Sequence, residues 1–159
     1  MSVLGLSPLS RLAELAPLAV RLIVGVVMAA HGWQKLVGGP ASFGQGLAQM
    51  GVPLPGLMAY VVTFVELVGG VLLVVGLFSR LAALLLTIDL VTAILLVKVN
   101  LGLIVPSDQP GAGAELDLAL IAGFLAILLA GPGRLSLDHA LGIDREAGWS
   151  ARRTARRAP

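Results

Sequence analysis

The chain has 159 residues, 57% hydrophobic and 13% charged, with a mean hydropathy of +0.96. Soluble domains run near 45–50% apolar and about 25% charged, so this composition points to a polytopic membrane protein and away from a soluble enzyme. The absence of cysteine excludes disulfide, dithiol and thiolate chemistry carried by this chain.

Met1 to Ala16 reads as a short amphipathic lead-in, with Arg11 and Glu14, lying at the membrane interface. The apolar run Pro17 to Val37 follows; 21 residues at about 1.5 Å each make roughly 31 Å of helix, enough to cross a bilayer core. Within it Arg21, Gly25, Met28, Gly32 and Lys35 recur at +4, +3, +4, +3 and share one face, with His31 beside it. A cleavable signal peptide is disfavoured, because the run is long for one and carries Arg21 and His31.

Gly38-Gly39-Pro40 breaks the helix. Phe43, Leu47 and Met50 then mark a short surface helix with its apolar side in the headgroups, followed by a rigid turn from Gly51 to Gly56. The second span is expected over about 57–78, with Glu66 its single charge and Gly69, Gly70 and Gly76 permitting close backbone approach. Ser79-Arg80 leads into a third span over about 81–99, which carries Asp89 near its middle and Lys98 at its end. After a Pro- and Gly-bearing loop, a fourth span over about 115–131 stops at Gly131-Pro132-Gly133. Its uninterrupted apolar part, Leu118 to Ala130, is only about 20 Å long, which predicts that Glu115 and Asp117 are drawn below the headgroups.

The expectation is an all-α polytopic membrane protein, an antiparallel bundle of four transmembrane helices over residues 17–133, with a basic tail from 134 to 159. Four spans place nine arginines, Arg21, Arg80 and Arg134 among them, on one side of the membrane and only Lys35 and Lys98 on the other. By the positive-inside rule both termini are cytoplasmic.

Glu66 and Asp89 each lie about nine residues, roughly 14 Å, from a helix end and so near the midplane. His31, Lys35, Lys98, Glu115 and Asp117 gather from there outward, and four carboxylates face two lysines. A charge at the bilayer centre costs about 2.5–3.5 kcal/mol on insertion scales and persists only with a partner, a proton or water. The excess of two negative charges predicts a proton on Glu66 or Asp89, or one shared with His31. The set reads either as interhelical ion pairs that lock the bundle or as an outward-opening polar pocket. In the second reading His31, Lys35, Glu66, Asp89, Lys98 and Glu115 bind a small ligand. Arg21, Gly25, Gly32, Gly70, Arg80 and Arg134 serve structure and topology. No spacing supports a metal site, and no phosphate loop or nucleic-acid module is present.

Arg21 with Gly25 and the Gly32-Trp33-Gln34-Lys35 end of the first helix resembles the DoxX family of small four-helix bacterial inner-membrane proteins. So do Glu66 with Gly69-Gly70, the run Gly76 to Arg80, and the closing run Gly131 to Asp138. The resemblance covers about residues 17 to 140. It implies the bacterial inner membrane, a place near quinone chemistry, and partners among membrane-bound redox proteins or further copies of the chain. Namesakes of the family are associated with thiosulfate:quinone oxidoreductase, but with no cysteine here a partner would supply any sulfur chemistry. On that reading Trp33 and Phe64 pack on a quinone ring. The alternative is a non-catalytic scaffold or small-solute carrier.

Overall fold

The structure, a computed structural model, describes residues 12–99, 101–105 and 113–144. Its elements are α1 (Ala16–Gly38), α2 (Pro40–Gln49), α3 (Pro55–Val75), α4 (Ser79–Ala93), α5 (Glu115–Ala130) and α6 (Leu137–Ala140). A π-helical turn, Ile94–Lys98, continues α4. No strand occurs among the described residues. Leu12–Gly38, Pro55–Val75 and Ser79–Lys98 are each long and apolar enough to cross a membrane. The sixteen residues of α5 make about 24 Å of helix.

Three helices begin with proline in the first turn, where the missing N–H costs no hydrogen bond. This is why α3 starts at Pro55, two residues before the position expected from apolarity. It ends at Gly76, in the left-handed region (φ 74°), where the Gly76 and Leu77 N–H groups both donate to Leu72 O. A Cβ at Gly76 would also fall on the Arg21 guanidinium, so only glycine fits. The turn between α3 and α4 is therefore Gly76 to Phe78, and α4 begins at Ser79.

The four long helices form a closed ring: α1 packs on α3, α3 on α4, α4 on α5 and α5 on α1. The α1–α3 pair is drawn close by small residues. Side chains at Gly25 and Gly70 would meet each other's backbone, and one at Gly32 would meet the backbone of Leu67. Val24, Leu73, Leu86, Phe124 and Ile127 fill the half of the ring near Arg21, Arg80 and Arg134, here the arginine end. The other half, the lysine end, is less filled.

Two segments differ from expectation. The apolar side of α2, expected to face the headgroups, is shared with the protein: Leu47 is buried against Val52 and Ala59, with Phe43 and Met58 alongside, while Met50 is exposed. Gly44, facing Pro55 O and the Ala59 side chain, lets α2 lie against α3. Residues 134–144, expected to open a tail, fold back onto the arginine end, where Asp138 is buried. Its carboxylate accepts the Phe78 and Ser79 N–H groups, its own N–H donates to Gly76 O, and Arg21 Nη2 donates to Leu135 O at 2.8 Å. Arg80 adds an ion pair to Asp144 at 2.6 Å and a hydrogen bond to Leu128 O. Most of the interfacial lead-in, the centre of the 101–114 loop and the tail beyond 144 lie outside the described residues.

Candidate functional site

The lysine end holds a cavity of about 320 Å³. Its polar lining is His31 and Lys35 from α1, Glu66 from α3, Asp89, Thr92 and Lys98 from α4 and its π-turn, and Asp117 from α5. The rest is apolar: Met28, Met58, Val62, Leu90 and Leu96 from the ring, and Phe43, Leu47, Met50 and Val52 from α2 and the turn after it.

Helix direction explains why these heads meet. A helical Cβ leans toward the N-terminus of its own helix. α1 and α4 run toward the lysine end, so Lys35 and Lys98 reach back toward the midplane. α3 and α5 run the other way, so Glu66 and Asp117 lean outward to meet them. Lys35 pairs with Glu66, and Lys98 Nζ lies 2.5 Å from Asp117 Oδ2 and 3.3 Å from Gly113 O. Both carboxylates are almost fully enclosed, with Glu66 4% and Asp117 5% exposed. The Lys35 ammonium also sits 5.3 Å from the centroid of the Phe43 ring, within cation–π range.

Asp89 lines the same cavity, and no cation pairs with it among the described residues. Thr92 is satisfied locally, its hydroxyl donating to Ile88 O at 2.8 Å. His31 is exposed at the rim, with Nδ1 2.9 Å from Val27 O one turn back. That contact assigns the proton to Nδ1 and leaves Nε2 as an acceptor when the ring is neutral.

Five of the six expected ligand residues, His31, Lys35, Glu66, Asp89 and Lys98, therefore line one cavity. Glu115 does not; it is exposed in the first turn of α5. Two residues further on a helix is about 200° around the axis, so of Glu115 and Asp117 only one can face inward. Trp33 and Phe64, proposed as ring-stacking aromatics, are 59% and 47% exposed on the outside of the ring and do not line the cavity. Phe43 is the aromatic that does. Its signal in the sequence was the i, i+4, i+7 stripe on α2, which was assigned to lipid.

With the geometry in place, the family model for DoxX matches residues 16–99, from α1 to the end of the π-turn. The chain belongs to the DoxX family. Three relatives of known sequence extend the match. An uncharacterized membrane protein of Mycobacterium tuberculosis is 35% identical, over 78% of this chain and 80% of its own. A Bacillus subtilis protein, provisionally named the oxidoreductase CatD, is 34% identical over 79% of this chain and 86% of its own. An uncharacterized Haemophilus influenzae protein is 31% identical over 76% and 86%. No solved structure matches the chain. The DoxX match takes in every polar residue of the cavity except Asp117, which α5 supplies from outside it. Among the described residues no cluster of His, Asp and Glu is arranged to hold a metal ion.

Proposed function

We propose that this DoxX-family chain is the membrane subunit of a redox system, and that the cavity at its lysine end takes the headgroup of a quinone. The observation that carries this reading is the composition of one cavity: two lysine–carboxylate pairs and a further carboxyl, set in apolar walls within a membrane bundle. The fit is reasonable. About 320 Å³ falls at the lower end of the roughly 300–1,000 Å³ of small-molecule sites. Lys35 and Lys98 retain N–H donors for ring oxygens, Asp89 offers an acceptor, and Met28, Met58 and Leu90 give apolar contact. A bound quinone would supply two-electron, two-proton redox chemistry. The chain's own part is to orient the ring, exclude water behind it and pass protons at Asp89 and, at the rim, His31. The provisional naming of the B. subtilis relative as an oxidoreductase supports the same direction.

The accompanying topology is four spans in the bacterial inner membrane with both termini cytoplasmic. Its support is the separation of Arg21, Arg80 and Arg134 from Lys35 and Lys98 at opposite ends of the ring, together with the arginines at 145–157.

A second reading has its own observation. Each ion pair joins two neighbouring helices, α1 to α3 and α4 to α5, as a pure scaffold would require. Titration with a decyl-tailed benzoquinone separates the two, using the full chain in nanodiscs of native lipid. Saturable binding that is lost in Lys35→Met and Lys98→Met variants of native helicity is the expected result. No saturable binding leaves the scaffold.

A further inference from the structure

The cavity's hydrogen-bonding capacity is lopsided, and the imbalance bears on which form of the ligand it holds. Lys35 is engaged by Glu66, and Lys98 by Asp117 and Gly113 O. Their remaining donors can serve a carbonyl or a hydroxyl oxygen equally well, so they do not discriminate. Asp89 does. Among the described residues no hydrogen bond or ion pair falls on it, although it is half-buried and faces a cavity whose other walls include Leu90, Ala93 and Met28. Its acceptor oxygens are therefore open to a ligand, and a ligand that brings a donor to them gains a hydrogen bond that one without a donor does not.

Resting on the quinone reading above, we infer that the site favours the reduced, hydroxyl-bearing ring over the dicarbonyl ring, with Asp89 accepting a hydrogen bond from a ring hydroxyl. The argument holds in either charge state of Asp89. As a carboxylate it only accepts, and a ring carbonyl brings no donor. As a carboxylic acid it keeps one acceptor oxygen beside its O–H; a ring hydroxyl meets both, whereas a carbonyl meets only the second. Sites built to bond a hydroxyl discriminate strongly against analogues that lack it, because their own polar groups are left bare.

The test uses three decyl-tailed probes of one ring: the quinone, the quinol held reduced under anaerobic conditions, and the bis-methyl ether of the quinol. The ether keeps the ring and tail and carries no donor. Binding is measured to the full chain in native-lipid nanodiscs. The expected order is quinol about 10- to 100-fold tighter than both others, the range of one hydrogen bond to a charged group. In Asp89→Leu that gap should close. Asp89→Asn, which keeps an acceptor oxygen and adds donors, should narrow it while preserving the fold. Quinone binding as tightly as quinol, or a gap that persists in Asp89→Leu, overturns the inference and leaves the quinone site standing. Binding of none of the three overturns the site itself, and the preference with it.

Discussion

Asp138 Oδ2 accepts the backbone N–H of Ser79 at 2.8 Å, across 59 residues of chain, while Oδ1 takes the N–H of Phe78 at 2.7 Å. A carboxylate from the segment after α5 thus caps the N-terminus of α4, where orphan N–H groups and the helix dipole both favour an anion. Phe78, held in the left-handed region at φ 48°, has its amide satisfied by the same group. Replacing a helix cap by alanine costs about 0.5–2 kcal/mol. Asp138→Ala should fall at or above the top of that range, since both oxygens are used and the site is buried. Asp138→Asn keeps one acceptor and should recover roughly half. Thermal midpoints in mild detergent would decide; equal losses in the two variants would mean that charge, not the acceptor geometry, is what counts.

Two glycine-to-alanine changes should have opposite signs. At Gly76 the left-handed backbone costs a residue with Cβ about 1–2 kcal/mol before the collision with Arg21 is counted. Gly46 lies within α2 with nothing near the position of a Cβ, so alanine there should stabilise by about 0.5–1 kcal/mol. The same thermal measurement applies, and a stable Gly76→Ala would contradict the packing described for Arg21.

Lys98 and Asp117 join α4 to α5 in a largely enclosed setting, their side chains 21% and 7% exposed. Removing one partner of a buried pair costs about 3–5 kcal/mol, because the other is left uncompensated. Lys98→Met should sit toward the low end, since the lysine is partly solvated. The double variant Lys98→Met with Asp117→Leu should be more stable than Lys98→Met alone. A double-mutant cycle that shows simple additivity would remove the pair from the account of α5.

The topology can be read with reporter fusions after residues 50, 79, 108 and 159. They should report outside, inside, outside, inside. A C-terminal fusion on the outer side would refute the four-span arrangement.

Much of this was legible from residue order. The three membrane-length helices follow from apolar length, and Glu66 and Asp89 could be placed together because midplane charges need company. Lys35 and Lys98 follow from spacing and helix direction. The choice of Asp117 over Glu115 was not legible. It depends on the rotational phase of α5, which is set after a Pro- and Gly-bearing loop, and both residues sit in the first turn. The cavity-lining role of Phe43 was not legible for a related reason: an amphipathic ten-residue helix shows the same stripe whether it meets lipid or protein. α6 has four residues, too few for any periodicity, and only the closing run Gly131 to Asp138 marked the place.

The two ends of the ring are fastened differently, and this gives the molecule a direction of give. At the arginine end the turn, α4 and α6 are stitched by main-chain hydrogen bonds and a packed interior, none of which loosens when a cavity side chain finds a new partner. At the lysine end the Lys35–Glu66 and Lys98–Asp117 ion pairs border the cavity, the first beside the close approach of α1 and α3 at Gly32. A guest that competes for either lysine would slacken a strut there and leave the opposite end clamped. The lysine end is thus the end of the bundle whose fastenings a bound molecule can reach, and the arginine end the one whose fastenings it cannot.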